Sequence, residues 1–383
     1  MAMEKAYFDN AATTFPKPQV VYEAMDRFYR QFGSSAGRGI YSGAQEAGLL
    51  LADARHLLQK LFHTEQHEAV FTSSATEALN LVLRGCGLCD GDTVYRSPFE
   101  HNAVLRPLNH LGSQIHLNIV ELAVDRKTLR YDLERISYQF QNQPPRLVVV
   151  SHASNVCGVL APVGELFPLA KQYGALTLVD MAQTAGVVDL NIVDAQADCA
   201  VFAGHKTLMG PFGAAGVMIR RSVVLEPLLY GGTGQDSANP DMPAEAPSRY
   251  EAGSHNMLAI AGLTAALEWL AGQGTAKVMA RENDNKERLI ELLGQYDFIR
   301  PILADRQIGV VSAVFAGLSS DEAGQILAEQ GIAVRTGLHC APAAHRFLGT
   351  FPAGTVRFSV SCLTGEEDFN KLRIALDYIQ DEL

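Results

Sequence analysis

The 383-residue chain predicts an α/β fold, with a large, mainly parallel-sheet domain and a smaller α+β domain. The length exceeds one average domain and favours two cores. From about residue 45 to 220, short apolar runs alternate with stretches of helical period, the signature of strand and helix units in a parallel sheet. Past an aperiodic stretch from Thr233 to Ser248, the pattern changes to helices leading into separate strands.

In the first region the expected strands are Ala69 to Thr72, Leu147 to Ser151, Leu176 to Asp180, Ala200 to Ala203 and Ala214 to Ile219. Each ends in a polar or glycine-containing segment. In open sheets of this kind, ligands collect beyond the carboxyl ends of the strands. Thr233 to Ser248, rich in Ala, Pro, Asp and Ser, is expected to be an extended surface loop. Helices are then expected at Leu258 to Leu270 and Glu282 to Leu293, strands near Gly309 to Phe315 and Thr355 to Ser361, and a last helix at Glu366 to Tyr378. The expected division is a large domain over residues 15–256, with residues 1–14 and 257–383 forming the smaller one.

Hydrophobic residues at 48% and charged residues at 19% are an ordinary globular balance. The net charge of -11 offers no basic footprint for nucleic acid or anionic lipid. No apolar run at the start suggests a signal, and nowhere do 18 apolar residues follow one another, so a soluble, cytoplasmic protein is expected. Six cysteines are too sparse for a disulfide framework. Cys86 and Cys89 form a C-x-x-C without a second ligand pair, and no metal site is expected. Two small apolar side chains around a helix end at Gly85 and Gly87 describe them better.

Four segments have the residue types that catalysis needs. Ser73-Ser-Ala-Thr-Glu77 lies between a strand and the apolar helix Ala78 to Leu83, where free backbone N–H groups suit a phosphate and hydroxyls suit a cap. Val179-Asp-Met-Ala-Gln183 delivers a carboxylate at a strand end. That carboxylate either turns the chain or, once buried, pairs with a cation such as a protonated ring nitrogen. Phe202-Ala-Gly-His-Lys-Thr207 sets Lys206 just past a strand, where a partly desolvated amine can join a carbonyl cofactor, although most lysines are solvated surface charges. Arg335-Thr-Gly-Leu-His-Cys340 surrounds a cysteine with groups that favour thiolate, whereas Cys157, Cys199 and Cys362 sit in apolar sequence. Neither G-x-x-x-x-G-K-[ST] nor G-x-G-x-x-G is complete, which sets nucleotide readings aside.

Taken in order, these segments resemble the cysteine desulfurase and selenocysteine lyase family, within the class V aminotransferase-like, fold-type-I enzymes that depend on pyridoxal-5'-phosphate. The resemblance covers nearly the whole chain. It begins at Tyr7-Phe-Asp-Asn-Ala-Ala-Thr13, continues through Glu100-His-Asn-Ala-Val104, His152-Ala-Ser-Asn155, Val179 to Gln183 and Gly204-His-Lys206, and ends at Arg335 to Cys340 and Arg357.

The resemblance implies that Lys206 carries the cofactor, Asp180 pairs with its ring nitrogen and His101 stacks on the ring. It also implies that Gln183 bonds the phenolic oxygen, with Asn155 near that oxygen and the substrate. Ala75, Thr76 and His205 match the phosphate site. Ser254 matches a residue reaching the phosphate from the other subunit, which implies a homodimer. Arg357 matches the holder of the substrate carboxylate. Catalysis would fall to Lys206, Cys340 and His101, with L-cysteine as substrate, sulfur held on Cys340 as a persulfide, and an acceptor protein downstream.

Two positions depart from the family pattern. Ala203 stands where many relatives place a hydroxyl toward the phosphate, a hydrogen bond worth about 0.5–1.5 kcal/mol. Leu338 stands where one branch has a second histidine, so the sulfur acceptor is left open. Rival readings on the same scaffold are a selenocysteine lyase acting on L-selenocysteine, another enzyme of the class without persulfide chemistry, and a non-catalytic or sulfur-carrying relative.

Overall fold

The computed structural model describes residues 6–36, 39–234 and 238–383. The described chain opens with strand β1 (Ala6–Tyr7) and helices α1 (Gln19–Gln31) and α2 (Ser42–Leu61). There follow β2 (His67–Thr72), α3 (Ala75–Gly85), β3 (Thr93–Arg96), α4 (Asn102–Gln114), β4 (Asn118–Glu121) and α5 (Leu133–Asn142). Then come β5 (Leu147–Ser151), α6 (Val163–Lys171), β6 (Leu176–Asp180), β7 (Cys199–Ala203) and β8 (Ala215–Arg220). Helices α7 (Met257–Gln273) and α8 (Thr275–Leu293) lead to β9 (Ile299–Pro301), β10 (Val310–Phe315), α9 (Ser320–Glu329), β11 (Ile332–Ala333) and β12 (Arg335–Gly337). The last elements are α10 (Pro342–Leu348), β13 (Thr355–Ser359) and α11 (Glu366–Glu382). Of the expected loop from Thr233 to Ser248, residues 235–237 lie outside the described residues, and the rest contains no helix or strand. Residues 1–5, on which the expectation about the start partly rests, also lie outside them.

The large sheet has the order β2-β8-β7-β6-β5-β3-β4, with β8 antiparallel to both neighbours and the other pairs parallel. Its central strands are buried on both faces, so their side chains divide with period two between two cores. On β5, Val148 and Val150 enter the core under α2 and α7, while Leu147 and Val149 enter the core under α3 and α4. Phe202 and Val201 divide in the same way on β7. Gly216 lets β8 pass β2, because an added Cβ would lie 2.2 Å from the Val70 carbonyl oxygen.

The second unit pairs the four-stranded antiparallel sheet β12-β13-β10-β9 with the short parallel pair β1–β11. Its core joins Ala6 and Phe8 to Leu289, Phe358 and Leu376. Helix α7 buries Met257, Ile260, Leu263 and Leu267 in the first core, whereas Leu289, Leu292 and Leu293 of α8 lie in the second. The reason is composition: α7 is apolar on nearly all faces and must be enclosed by the sheet and α1 and α2. The expected α/β fold with a mainly parallel large sheet is borne out. Among the described residues, no helix is long and apolar enough to cross a membrane.

Candidate active site

The ends of β5, β6 and β7 bring Ser151, Asp180 and Ala203 to one rim of the sheet, and the pairing Ser151↔Asp180 keeps the first two in register. Beyond that rim is a cavity of about 240 Å³. It is lined by Ala75, Thr76, His101, Asn155, Asp180, Gln183, His205, Lys206 and Arg357, among others. Nine residues singled out in sequence therefore converge. Two do not line it: Cys340 lies beside it, and Ser254 is exposed on the surface of its own chain.

The Lys206 turn follows β7. Gly204 is required there, since a Cβ would come within 2.2 Å of the Ala214 carbonyl oxygen. The N-terminal segment grips the turn: Thr14 Oγ1 donates to the Lys206 carbonyl at 2.8 Å, and Thr13 Oγ1 and Lys17 Nζ donate to the His205 carbonyl. Burial pushes the Lys206 amine down to about 8, against the opposing pull of Asp180. Burial also raises the Asp180 carboxyl, with the Ala182 amide (2.9 Å) and Lys206 acting the other way. Each ion thus offsets part of the other's desolvation.

At the far side, Ser74 caps α3 by accepting from the Glu77 amide, which leaves the first helical amides, Ala75 and Thr76, without helix partners. His205 borders the same end, stacked on Phe212 with ring centroids 4.4 Å apart. Burial holds its ring neutral by lowering its pKa to about 3, and its Nδ1 is buried without a partner. Unpaired amides at a helix start and an unused imidazole nitrogen suit an anionic oxygen cluster.

His101 caps α4 through Nδ1, which accepts from the Ala103 amide at 3.0 Å. Its proton therefore sits on Nε2, and burial with Lys206 nearby lowers its pKa to about 4. Arg357 is 1% exposed. Its Nη1 donates to the Asn155 carbonyl at 3.0 Å and its Nη2 pairs with Asp9 at 2.5 Å, while Nε is buried without a partner. Gln183 donates to the Ala11 carbonyl at 2.9 Å.

Cys340 is exposed, and Arg335 Nη2 lies 3.5 Å from its sulfur. His339 and Cys340 both adopt left-handed backbone, φ +48° and +56°, uncommon for residues with a Cβ. Two carbonyl contacts hold this turn: Asn155 Nδ2 donates to His339 O and the Asn102 amide to Cys340 O, each at 2.7 Å. The cysteine turn is thus anchored to Asn102 and Asn155, although His339 lies 184 positions from Asn155.

The class-V aminotransferase family profile matches residues 6–372. The chain belongs to the class-V aminotransferase family. Within that family it is 32% identical over 350 residues to a probable cysteine desulfurase of Pyrococcus abyssi, covering 89% of this chain and 86% of the relative. It is also 32% identical to a cysteine desulfurase of Haloferax volcanii, covering 97% and 88%. The apo cysteine desulfurase of Thermococcus onnurineus superposes with a TM-score of 0.91 at 31% identity, covering 99% and 95%. A cysteine desulfurase of Escherichia coli, solved in an S-sulfonic acid form, superposes at 0.89 with 26% identity and the same coverage.

This class-V aminotransferase chain has further site residues that sequence reasoning missed. Glu100 is fully buried and accepts from Ser97 Oγ and from the Ser151 amide and hydroxyl at 2.6–2.8 Å. Burial raises its pKa to about 7. Asp9 faces Arg357 across 348 positions, a pairing no local signal reveals. His339 lines the cavity, whereas in sequence it is only a flank of Cys340. Of the C-x-x-C pair, Cys86 is buried with its thiol pushed up to about 11, and Cys89 is exposed. Among the described residues, no group of three His, Cys, Asp or Glu side chains is placed to hold a metal ion.

Proposed function

We propose that this chain is a pyridoxal-5'-phosphate-dependent cysteine desulfurase, converting L-cysteine to L-alanine and taking the sulfur on Cys340. The observation that carries this reading is a low-pKa amine, Lys206, opposite the buried Asp180 in a cavity with Cys340 and Arg335 beside it. The residues fit the cofactor. The α3 amides and the orphaned His205 Nδ1 suit its phosphate, Asp180 its ring nitrogen, His101 and Gln183 its ring and phenolic oxygen, and Lys206 its aldehyde. When bound, the cofactor supplies an electron sink for charge developing at the substrate Cα.

The protein's own groups do the rest. Arg357 holds the substrate carboxylate through its guanidinium, whose Nε has no other partner, with Asn155 beside it. Lys206, neutral above about pH 8, takes the Cα proton. The Cys340 thiolate attacks the substrate Sγ. An S–S bond forms as Cβ–Sγ breaks, the bonding pair passes to carbon, and protonation there leaves alanine. His101, neutral with Nε2–H, is the proton donor beside that step. The exposure of Cys340 suits delivery of its persulfide to an acceptor protein. Ala203 offers no hydroxyl to the phosphate, so the α3 amides and His205 contribute more of its binding.

Ser254, exposed and away from its own cavity, is proposed to serve a second copy in a cytoplasmic homodimer. Light scattering at about twice the 41.5 kDa chain mass is expected, and a monomer would remove Ser254 from the site.

The direct test is alanine release from L-cysteine with cofactor and a thiol reductant. Wild type is expected to turn over, and Cys340→Ala and Lys206→Ala to lose activity by roughly a hundredfold or more. Equal release by wild type and Cys340→Ala rejects persulfide chemistry. Release from L-selenocysteine alone favours a selenocysteine lyase, and cofactor binding without release from either favours a non-catalytic relative.

A further inference from the structure

The proton on His339 is assigned by the hydrogen bonds that lead away from it. The Val156 carbonyl only accepts, so Ser312 Oγ, 2.7 Å away, must spend its one proton there. Ser312 can then only accept from Thr355 Oγ1 at 2.9 Å, which uses the Thr355 proton. Thr355 Oγ1, 2.9 Å from His339 Nε2, must therefore accept, and Nε2 must hold the hydrogen. His339 is 3% exposed, and its Nδ1 is buried with no hydrogen-bond partner. A neutral ring protonated at Nε2 leaves its in-plane lone pair on Nδ1.

His339 lines the cavity and immediately precedes Cys340. Thr355, which anchors it, lies two residues before Arg357 on β13, so both side chains share one face of that strand. Arg357, the proposed holder of the substrate carboxylate, and His339 thus line one cavity. We propose that the His339 Nδ1 lone pair accepts the γ-thiol hydrogen of the bound amino acid and so selects for a thiol side chain. This rests on the desulfurase reading. Ser312 and Thr355 are positioning residues that act through the ring. Burial, with Arg357 nearby, lowers the His339 pKa to about 2, so the ring remains an acceptor over the working range. His101 shows the opposite polarity to the same cavity, an Nε2–H donor.

One neighbour competes for the lone pair. The His345 ring lies 5.3 Å away between centroids, and its Nε2 is likewise buried without a partner. A direct bond between the two rings would consume the acceptor.

The test has two arms. Nitrogen-15 spectra of histidine-labelled, cofactor-free protein should show His339 protonated at Nε2 and bare at Nδ1. Ser312→Ala, which frees the Thr355 hydroxyl to donate, should admit the other tautomer. A proton on Nδ1 in wild type overturns the proposal. In the holoenzyme, His339→Gln puts an amide nitrogen where Nε2 stood and no acceptor where Nδ1 stood. The KM for L-cysteine should rise about three- to tenfold, the loss of one hydrogen bond, while competitive inhibition by L-alanine, which has no thiol, stays unchanged. If both constants move together, or neither moves, His339 is a structural contact and the proposal fails. If wild type releases no alanine from L-cysteine, the desulfurase reading and the thiol assignment fall together, and the spectra still decide the tautomer.

Discussion

Lys206 shows how position sets the chemistry of a residue. A solvated lysine is cationic at neutral pH, but burial beside the sheet rim lowers this amine to about 8, even with Asp180 favouring the charge. The lowered value means that the neutral, nucleophilic form grows as pH rises through about 8 instead of through the usual lysine range. Incorporation of pyridoxal-5'-phosphate into cofactor-free protein, followed by absorbance, should speed up with pH and level off above about 8. A rate that keeps climbing toward the ordinary lysine value would contradict the burial argument. Lys206 and Asp180 are legible in sequence because Asp180 ends one apolar strand and Lys206 lies just past another, and the Gly204-His-Lys206 turn adds a backbone signal. Asp9, Glu100 and the Val156–Ser312–Thr355 chain that fixes His339 are not, because their partners meet only through folding. Ser312 and Val156, for example, lie 156 positions apart.

Among the elements, legibility follows burial. Strands β5, β6 and β7 are apolar runs because both faces are covered, and the expected Leu147 to Ser151 and Leu176 to Asp180 agree with the observed bounds. Strands β3 and β4, four residues each, give no comparable signal. The latter, Asn118–Glu121, is an edge strand with mostly exposed side chains and no sustained apolar run. The antiparallel pairing of β12 with β13 is equally cryptic, yet it borders the cysteine turn. Gly354, which precedes β13, has φ +74°, and an added Cβ would lie 2.4 Å from the Gly337 carbonyl oxygen at the end of β12. Gly354→Ala should cost at least about 1–2 kcal/mol from the left-handed backbone alone, with the clash added. It should also reduce turnover, because β12 holds Arg335 and leads into Cys340. Thermal melting checks the first effect, and an unchanged melt would show that the corner has room to relax.

For the molecule as a whole, the site exists because two cores meet. The large sheet supplies Asp180, Lys206 and the α3 amides, and the second unit supplies Arg335, His339, Cys340 and Arg357. The N-terminal segment ties them together: Ala6 and Phe8 pack in the second core, Asp9 pairs with Arg357, and Thr13 and Thr14 hold the Lys206 turn. The central claim is that sulfur from L-cysteine comes to rest on Cys340, and the most direct measurement follows that sulfur. Holoenzyme is given one turnover of sulfur-35-labelled L-cysteine without reductant, digested under non-reducing conditions, and its peptides are assayed for label and mass. The expected result is one added labelled sulfur atom on the peptide containing Cys340, released by a thiol reductant and absent from Lys206→Ala. Alanine formed with no sulfur on that peptide, or label spread over Cys86, Cys89 and the other thiols, would contradict it.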